Sequence, residues 1–209
     1  MSLQVERRAY FDAHRRAFGP LTQPQVDGVN TLLDGMARDA ALTDVRHAAY
    51  MLATTWHETA HTLQPIAERG PRHYFDRYDP VRANTATRRQ RARQMGNTRE
   101  GDGFRFRGRG YVQLTWHVNY EKASALVGVD LLAHPDRAME PEIAYQIMSH
   151  GMRVGWFTGR RLSDFIHAER VDYVNARRII NGLDRAALIA AHARQFEAAL
   201  RQGMSHEPD

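Results

Sequence analysis

The sequence predicts a mainly α-helical protein with at most short β-strands, and three observations support this fold class. Apolar residues recur at steps of three and four along most of the 209 residues. Capping residues or glycines bound several of these segments, as helix ends require. Alternating apolar and polar residues, which are typical of strands, occur only near residues 104–109 and 111–114. No internal repeat or long linker divides the chain, so we expect a single domain over residues 1–209.

The first three helices are predicted from their caps and their apolar faces. The first covers residues 5–17 and stops at Gly19, and the second begins at the capping-box pattern of residues 22–25. The third begins at Asp44. Its apolar positions are Val45, Ala48, Ala49, Leu52 and Trp56. At about 100° per residue, Glu58 lies on the side opposite that face. A helix anchored in the core therefore presents Glu58 away from the core.

The later part of the chain is predicted to be only partly helical at first. Residues 71–110 contain glycine, proline and asparagine, and nine arginines occur from Arg82 to Arg109. We interpret this stretch as a partly helical, solvated basic loop. The alternative is a loop that covers substrate, because long loops in compact domains are often functional. Further helices are predicted at residues 119–127, 141–152, 174–180 and 185–200.

Composition excludes several classes of chemistry and partner. The chain has no cysteine, so its stability and chemistry use neither disulfides nor thiolates. No apolar run approaches the roughly 20 residues that span a bilayer, and we expect no membrane insertion. The net charge is +5, which favours approach to anionic polymers. An excess this small is typical of an ordinary solvated surface, and we expect no nucleic-acid partner.

Two carboxylates near the end of the third predicted helix are candidates for acid–base chemistry. Glu58 and Glu68 are ten residues apart, which allows a helix end and a turn between them. Hydrolysis of a glycosidic bond needs one protonated carboxyl to donate to the leaving oxygen. It also needs a second, ionised carboxylate to activate water or attack carbon. Since most glutamates are solvated surface residues, the pair alone does not distinguish a glycosidase from an ordinary surface, and the downstream segment Gly108–Tyr120 strengthens the glycosidase interpretation.

Four segments occur in an order that resembles glycoside hydrolase family 19, which comprises chitinases and the lysozyme-like endolysins of phages and bacteria. They are His57-Glu58-Thr59, Glu68 in Pro65-Ile66-Ala67-Glu68, Gly108-Arg109-Gly110-Tyr111-Val112-Gln113-Leu114-Thr115 with Asn119-Tyr120, and Ile179-Ile180-Asn181-Gly182. The four segments cover residues 57 to 182. One departure is Ala60-His61, where members often carry two glycines.

The resemblance implies a lysozyme-like, two-lobed helical domain with a substrate cleft. By resemblance, Glu58 is the general acid, Glu68 is the general base, and Thr115 holds the attacking water. The side chains expected to contact the sugar are His57, Tyr111, Gln113, Asn119 and Asn181. For the Tyr111 ring, packing in the core is an equal alternative. Members of the family invert the anomeric configuration, which requires carboxyl groups roughly 6.5–9.5 Å apart.

The expected partner is a polysaccharide with β-1,4 bonds next to N-acetylated amino sugars, cleaved without a metal or organic cofactor. Peptidoglycan is the first expectation, as for endolysins, and chitin is the alternative. The first eight residues lack an apolar segment. We therefore expect the protein to be made in the cytoplasm without a signal peptide, and to act on the cell wall after release or injection.

Two other function classes fit parts of the sequence. His57-Glu58-Thr59-Ala60-His61 matches H-E-x-x-H, which on a helix binds zinc through two histidines with the glutamate as general base for peptide hydrolysis. The later segments favour the glycosidase over this metallopeptidase. A catalytically inactive sugar-binding module is the third class, and the presence of both Glu58 and Glu68 argues against it.

Overall fold

The computed structural model describes residues 3–204, and the chain divides into two compact units. One unit combines the residues up to Gln64 with those from Met148 onward, and the other is Pro65–Ile147. The predicted mainly α fold class is confirmed, because among residues 3–204 helices dominate and strands form only two small antiparallel pairs. Within the described range, every helix is too short or too polar to cross a bilayer.

The helices and strands have the following bounds. The α-helices are α1 Arg7–Phe18, α2 Gln23–Arg38, α3 Val45–Glu58, α4 Ala86–Gln94, α5 Asp102–Arg105, α6 His117–Val127, α7 Pro141–Val154, α8 Leu162–Phe165 and α9 Ala186–Met204. The 3-10 helices are Arg72–Tyr78, Pro135–Met139 and Asn175–Ile179. Strand β1 Ile66–Ala67 pairs with β2 Arg109–Gly110, and β3 Ile166–His167 pairs with β4 Arg170–Val171.

Helix α3 is the central element of the first unit. It packs against α9, which also packs against α1. Every residue from 48 to 56 is buried, so the helix is enclosed on all sides rather than along a single apolar face. A helix that is surrounded in this way belongs to the core. Glu58 emerges only because it is the last residue of the helix.

The predicted helix starts are confirmed by their capping contacts. The Thr22 backbone N–H donates to Gln25 Oε1 at 2.8 Å, which is one half of a capping box. The Asp44 carboxylate accepts from the Arg46 backbone N–H at 2.8 Å and caps α3. Helix α1 ends at its C-cap residue Gly19, whose φ of 86° is a conformation that favours glycine.

The arginine-rich stretch in the second unit is anchored by buried polar side chains. Asp79 Oδ2 accepts from the Gly101 N–H at 2.7 Å. Asn97 donates from Nδ2 to the Tyr78 carbonyl at 2.9 Å, and Asp102, the first residue of α5, accepts from the Arg99 N–H through Oδ2 at 2.8 Å. All three side chains are buried. The stretch is partly helical, as predicted, and most of its arginines are exposed, while these three buried side chains anchor its backbone.

Several predicted elements differ from the structure. The strand predicted from residue 104 begins at Arg109, because residues 104 and 105 complete α5. The helix predicted at residues 174–180 is the 3-10 helix Asn175–Ile179. Helix α8 and the β3–β4 pair are too short to leave a periodic pattern in the sequence.

Candidate active site

Glu58 is held by a buried arginine at the end of α3. Arg177 donates from Nη1 to Glu58 Oε1 at 2.6 Å. The Arg177 side chain is 4% exposed and that of Glu58 is 17% exposed. Arg177 lies in the 3-10 helix Asn175–Ile179, and its Nε donates to the Asp184 carbonyl at 3.3 Å. The pair fixes one carboxylate oxygen of Glu58 and leaves Oε2 as the oxygen available to a substrate.

Arg177 is the functional candidate that the sequence analysis missed. It is a charged residue between the apolar residues Ala176 and Ile179, just before the Ile-Asn-Gly segment. A buried arginine almost always has a partner. The only available signal was this position, and it does not identify Glu58 as the partner.

Hydrogen bonds hold the turn after Glu58 in a left-handed backbone conformation. Ala60, His61 and Leu63 all have positive φ values. The buried Thr59 side chain donates to the Thr55 carbonyl at 2.7 Å and accepts from the Leu63 N–H at 3.0 Å. Such local strain costs of order 1–3 kcal/mol for each residue and persists only where the surroundings enforce it. The turn therefore ends α3 sharply at Glu58.

The end of α3 contradicts the zinc-peptidase alternative. That alternative needs a helix that continues through His61, so that His57 and His61 share one face. Helix α3 ends at Glu58, and the His61 ring instead stacks on Trp56 with centroids 4.6 Å apart. Across residues 3–204, no group of three or more His, Cys, Asp or Glu side chains is placed to hold a metal ion.

His57 and Asn181 are the sugar-contact candidates in the first unit. His57 is half-buried, and burial lowers the pKa of its imidazole, while the neighbouring Glu58 opposes that shift. The ring is therefore favoured in its neutral form, in which one nitrogen donates and the other accepts. Asn181 is exposed, and its Oδ1 accepts from the Gly182 N–H at 2.9 Å.

Glu68 is oriented by two neutral donors in the second unit. Its Oε1 accepts from the Tyr78 hydroxyl at 3.1 Å, and its Oε2 accepts from the Gly108 N–H at 3.3 Å. Burial, followed by the charge of Glu68, raises the pKa of Tyr78 to about 12, so the phenol stays a donor. Each carboxylate oxygen keeps a further lone pair for a water molecule.

Gly108 allows the close approach that orients Glu68. A Cβ at this position would lie 2.7 Å from Gln113 Oε1 and 3.3 Å from Glu68 Oε2. The first distance is shorter than Cβ atoms tolerate, so any larger residue would displace the carboxylate or the amide. The first glycine of the signature thus serves the geometry of Glu68.

The rest of the signature forms a chain of side-chain to backbone contacts. Gln113 donates from Nε2 to the Ile66 carbonyl at 3.1 Å and to the Gly110 carbonyl at 3.3 Å. The Thr115 hydroxyl donates to the Gln113 carbonyl at 2.8 Å. Asn119 Nδ2 donates to the Thr115 carbonyl at 2.8 Å. Gln113 therefore uses its donor to hold the β1–β2 pair, whereas Thr115 keeps an acceptor oxygen and Asn119 keeps Oδ1.

Two signature residues serve the core instead of presenting a surface to a ligand. Tyr111 is 1% exposed, so the prediction that its ring contacts sugar does not fit this structure. Arg109 is 2% exposed and donates to Asp136 Oδ1 and the Tyr120 hydroxyl, both at 2.8 Å. The arginine of the glycine-arginine-glycine pattern thus stabilises the fold through these two contacts. Trp116 is half-buried and meets the Tyr78 ring edge-on at 5.0 Å.

Backbone strain is concentrated beside the two carboxylates. Within the described residues, the non-glycine residues with positive φ are Ala60, His61, Leu63, Gln113, Trp116, Ala168 and Arg185. The first three follow Glu58, and the next two lie in the signature beside Glu68. Clustered strain of this kind is characteristic of functional sites.

Comparison with known proteins shows the fold and the family of the chain. Two solved structures are similar in fold. The first is chitinase C from Streptomyces griseus HUT6037, which is 19% identical and has a TM-score of 0.58; the match covers 96% of this chain and 94% of that chain. The second is a chitinase C mutant with glutamate replaced by glutamine, which is 16% identical, has the same coverage and has a TM-score of 0.53. No curated protein matches the chain. The glycoside hydrolase family 19 model, described as chitinase class I, matches residues 29–159. Since this match spans more than half of the 209 residues, the chain belongs to glycoside hydrolase family 19 and is a glycosidase.

Proposed function

We propose that residues 1–209 act as one catalytic domain that hydrolyses β-1,4 bonds next to N-acetylated amino sugars by a single inverting displacement. The observation that carries this proposal is the pair of half-buried carboxylates, Glu58 and Glu68, each oriented by its own buried or half-buried donors. Two carboxyl groups are the chemical requirement of glycoside hydrolysis. No step of this mechanism requires a metal or an organic cofactor.

Glu58 serves as the general acid in this mechanism. Its Oε2 carries the proton and donates it to the leaving glycosidic oxygen. The carboxylate that remains is stabilised by the guanidinium of Arg177, which already contacts Oε1 at 2.6 Å. Since Arg177 is also fixed by the Asp184 carbonyl, this stabilisation needs no rearrangement.

Glu68 serves as the general base. It removes a proton from water, and the oxygen of that water attacks the anomeric carbon on the face opposite the leaving group. Thr115 helps to hold this water. Its hydroxyl hydrogen is donated to the Gln113 carbonyl, so its oxygen can accept a hydrogen bond from the water. Inversion needs roughly 6.5–9.5 Å between the two carboxyl groups, which leaves room for the water.

Peptidoglycan and chitin are the two candidate substrates, and different observations favour each. The descriptions of the family model and of the similar structures name chitinases, which favours chitin. The concentration of arginine in the second unit favours an acidic polymer such as peptidoglycan. We propose peptidoglycan as the first substrate, with Asn119, Asn181 and His57 as sugar contacts. Because peptidoglycan lies outside the cytoplasm, the protein acts on it after release or injection.

Parallel digestion tests both the reaction and the substrate. Purified peptidoglycan and chitin oligomers are incubated with the protein, and the products are identified by mass. We expect muropeptides from peptidoglycan and slower release of short oligomers from chitin. Cleavage of chitin alone would make chitin the substrate, and cleavage of neither would refute the proposed activity.

A Glu58→Gln variant tests the assigned acid. The amide keeps the size of the side chain but has no carboxyl proton to donate, so we expect a fall of about 10²–10⁴-fold in kcat. The matched control is Glu121→Gln, which makes the same change at an exposed position of α6. Near-normal activity in a folded Glu58→Gln variant would assign the acid elsewhere.

A further inference from the structure

A cavity beside Glu68 combines two arginines with an aromatic wall. It has a volume of about 490 Å³ and lies entirely in the second unit. Its lining includes Ile66, Glu68, Arg69, Phe75, Phe104 and Arg107. Cavities of this size hold small ligands or single sugar units. The mechanism described above uses only Glu68 from this set.

Arg107 is fixed in the cavity without a carboxylate partner. Its guanidinium lies 4.2 Å from the centre of the Phe104 ring, and Nη1 donates to the Phe104 carbonyl at 3.0 Å. Burial, and then the nearby Arg109, lower the pKa of Arg107. A half-buried cation of this kind is stabilised when an anion binds to its remaining donors.

Among residues 3–204, neither Arg69 nor Arg107 forms an ion pair with Glu68 or with another acidic side chain. The two oxygens of Glu68 accept from Tyr78 and Gly108 instead. Arg109 is a useful contrast, because it pairs with Asp136 and is otherwise enclosed by oxygen acceptors. Arg69 and Arg107 therefore have more N–H groups available to a ligand than Arg109 has.

We propose that Arg69 and Arg107 form a subsite for a carboxylate carried by a substituent of the sugar, next to Glu68. This inference rests on the proposed function and specifies its substrate class: a β-1,4-linked amino-sugar polymer whose sugars carry acidic substituents. The stem peptide that peptidoglycan carries on its muramic acid units has such carboxylates, and chitin has none. A guanidinium matches a carboxylate with two parallel hydrogen bonds, while the half-buried Phe104 contacts the apolar face of the sugar or its substituent.

A binding measurement tests the subsite without turnover. The full-length Glu58→Gln protein is titrated by calorimetry with a disaccharide of N-acetylglucosamine and N-acetylmuramic acid that carries a short stem peptide, and with the same muropeptide after its carboxylates are converted to carboxamides. We expect the acid to bind at least about tenfold more tightly than the carboxamide, and this preference to shrink as salt is added, because an exposed ion pair is screened. Equal affinities for the two ligands would overturn the proposal.

Variants locate the preference at the two arginines. In the double variant Arg69→Gln and Arg107→Gln, the preference for the acid over the carboxamide should fall to less than about twofold. Arg91→Gln removes the same kind of charge from an exposed position on α4 and should keep the full preference. If the double variant unfolds, Arg69→Gln alone is compared with Arg91→Gln. An unchanged preference in a folded Arg69 or double variant would overturn the proposal.

Kinetics of the active protein separate this inference from the proposed function. For the double variant we expect the ratio of kcat/KM on peptidoglycan to kcat/KM on chitin oligomers to fall at least about tenfold, through KM on peptidoglycan. An active enzyme whose ratio does not change would refute the carboxylate subsite alone. A wild-type protein that prefers the acid ligand but cleaves neither polymer would refute the hydrolase assignment and leave the subsite standing.

Discussion

Arg177 and Glu58 lie 119 residues apart in the sequence, and the Nη1 of one contacts the Oε1 of the other at 2.6 Å. The pair joins the last residue of α3 to the 3-10 helix Asn175–Ile179 within the first unit. Because Arg177 is 4% exposed, its charge is poorly screened by solvent. The pair therefore acts on both the stability of the protein and the charge of Glu58 during the reaction.

Replacing Arg177 by methionine removes the charge but keeps a long side chain. The Glu58 carboxylate then loses its partner while it is still 17% exposed. We expect the free energy of unfolding to fall by up to about 3 kcal/mol, the lower end of the effect of breaking a buried pair. Activity should fall as well, because the carboxylate left after proton transfer is less stabilised. Urea denaturation and initial rates measure the two effects.

The double variant Glu58→Gln and Arg177→Met shows whether these effects arise from the pair. In this variant the uncompensated charge is gone, so the stability loss should be smaller than the sum of the two single losses. Strict additivity of the two single changes would show that the ion pair contributes nothing measurable.

Glu68 and Thr115 are predicted to contribute unequally. Loss of the base in Glu68→Gln should reduce kcat by about 10²–10⁴-fold. Thr115→Ala removes one contact to the water and should cost less, and Thr115→Ser should be tolerated because the hydroxyl remains. Full activity of Glu68→Gln would move the base elsewhere. Asp102 is a poor substitute, since its carboxylate already binds backbone N–H groups.

The configuration of the first product tests the single displacement directly. An attack by water on the face opposite the leaving group gives the α anomer from a β-linked substrate. Proton NMR in the first minutes, before mutarotation, distinguishes the two anomers. A β product at early times would exclude inversion and would require a covalent or substrate-assisted route.

Chelators should leave the activity unchanged. The carboxylate mechanism uses no metal, whereas a zinc peptidase depends on its ion to activate water. We expect equal rates with and without a strong chelator, and less than stoichiometric zinc by elemental analysis. Activity that is lost with chelator and restored by zinc would support a metal mechanism instead.

His14 makes stability depend on pH in the acid range. It is fully buried among aromatic rings, and burial, followed by the charge of Arg15, lowers its pKa to about 4. The unfolded chain binds this proton near pH 6.5, so between the two values the unfolded state holds more protons than the folded state. The contribution of neutral His14 to the free energy of unfolding is therefore fully present above about pH 6.5, and up to about 3 kcal/mol of it is lost as the pH falls to about 4.

A His14→Phe variant removes this titration and keeps an aromatic ring beside Phe18 and Phe196. Urea denaturation between pH 7 and pH 4 should give a flatter profile for the variant than for the wild type. His73→Gln, at an exposed histidine, is the control and should keep the wild-type slope. Parallel profiles for wild type and His14→Phe would assign the acid sensitivity to other groups.

Local patterns in the sequence predicted most of the helices, because their determinants are local. The start of α2 at Thr22, the start of α3 at Asp44 and the end of α6 at Gly128 each depend on a few neighbouring residues. The short β1–β2 pair was less accessible, since β1 has no alternating pattern and exists only through its pairing with residues 109 and 110.

The candidate site was only partly predictable for a related reason. Residue type and spacing singled out Glu58 and Glu68, because hydrolysis of a glycosidic bond needs carboxyl groups. The resemblance to the family signature assigned Tyr111 and Gln113 to the sugar, whereas Tyr111 is buried and Gln113 donates to backbone carbonyls. A signature pattern does not tell a residue that contacts ligand from one that supports the fold.

The sequence by itself determined the helical class and the family and proposed the two candidate carboxylates, since periodicity, capping and motif order are properties of short segments. Only the tertiary structure decided that α3 stops at Glu58 and that Arg177 is its partner. It also decided that Arg109 is neutralised by Asp136 while Arg107 is not. These outcomes depend on which distant segments pack together and on which side chains are left with unused donors, and no local pattern encodes either.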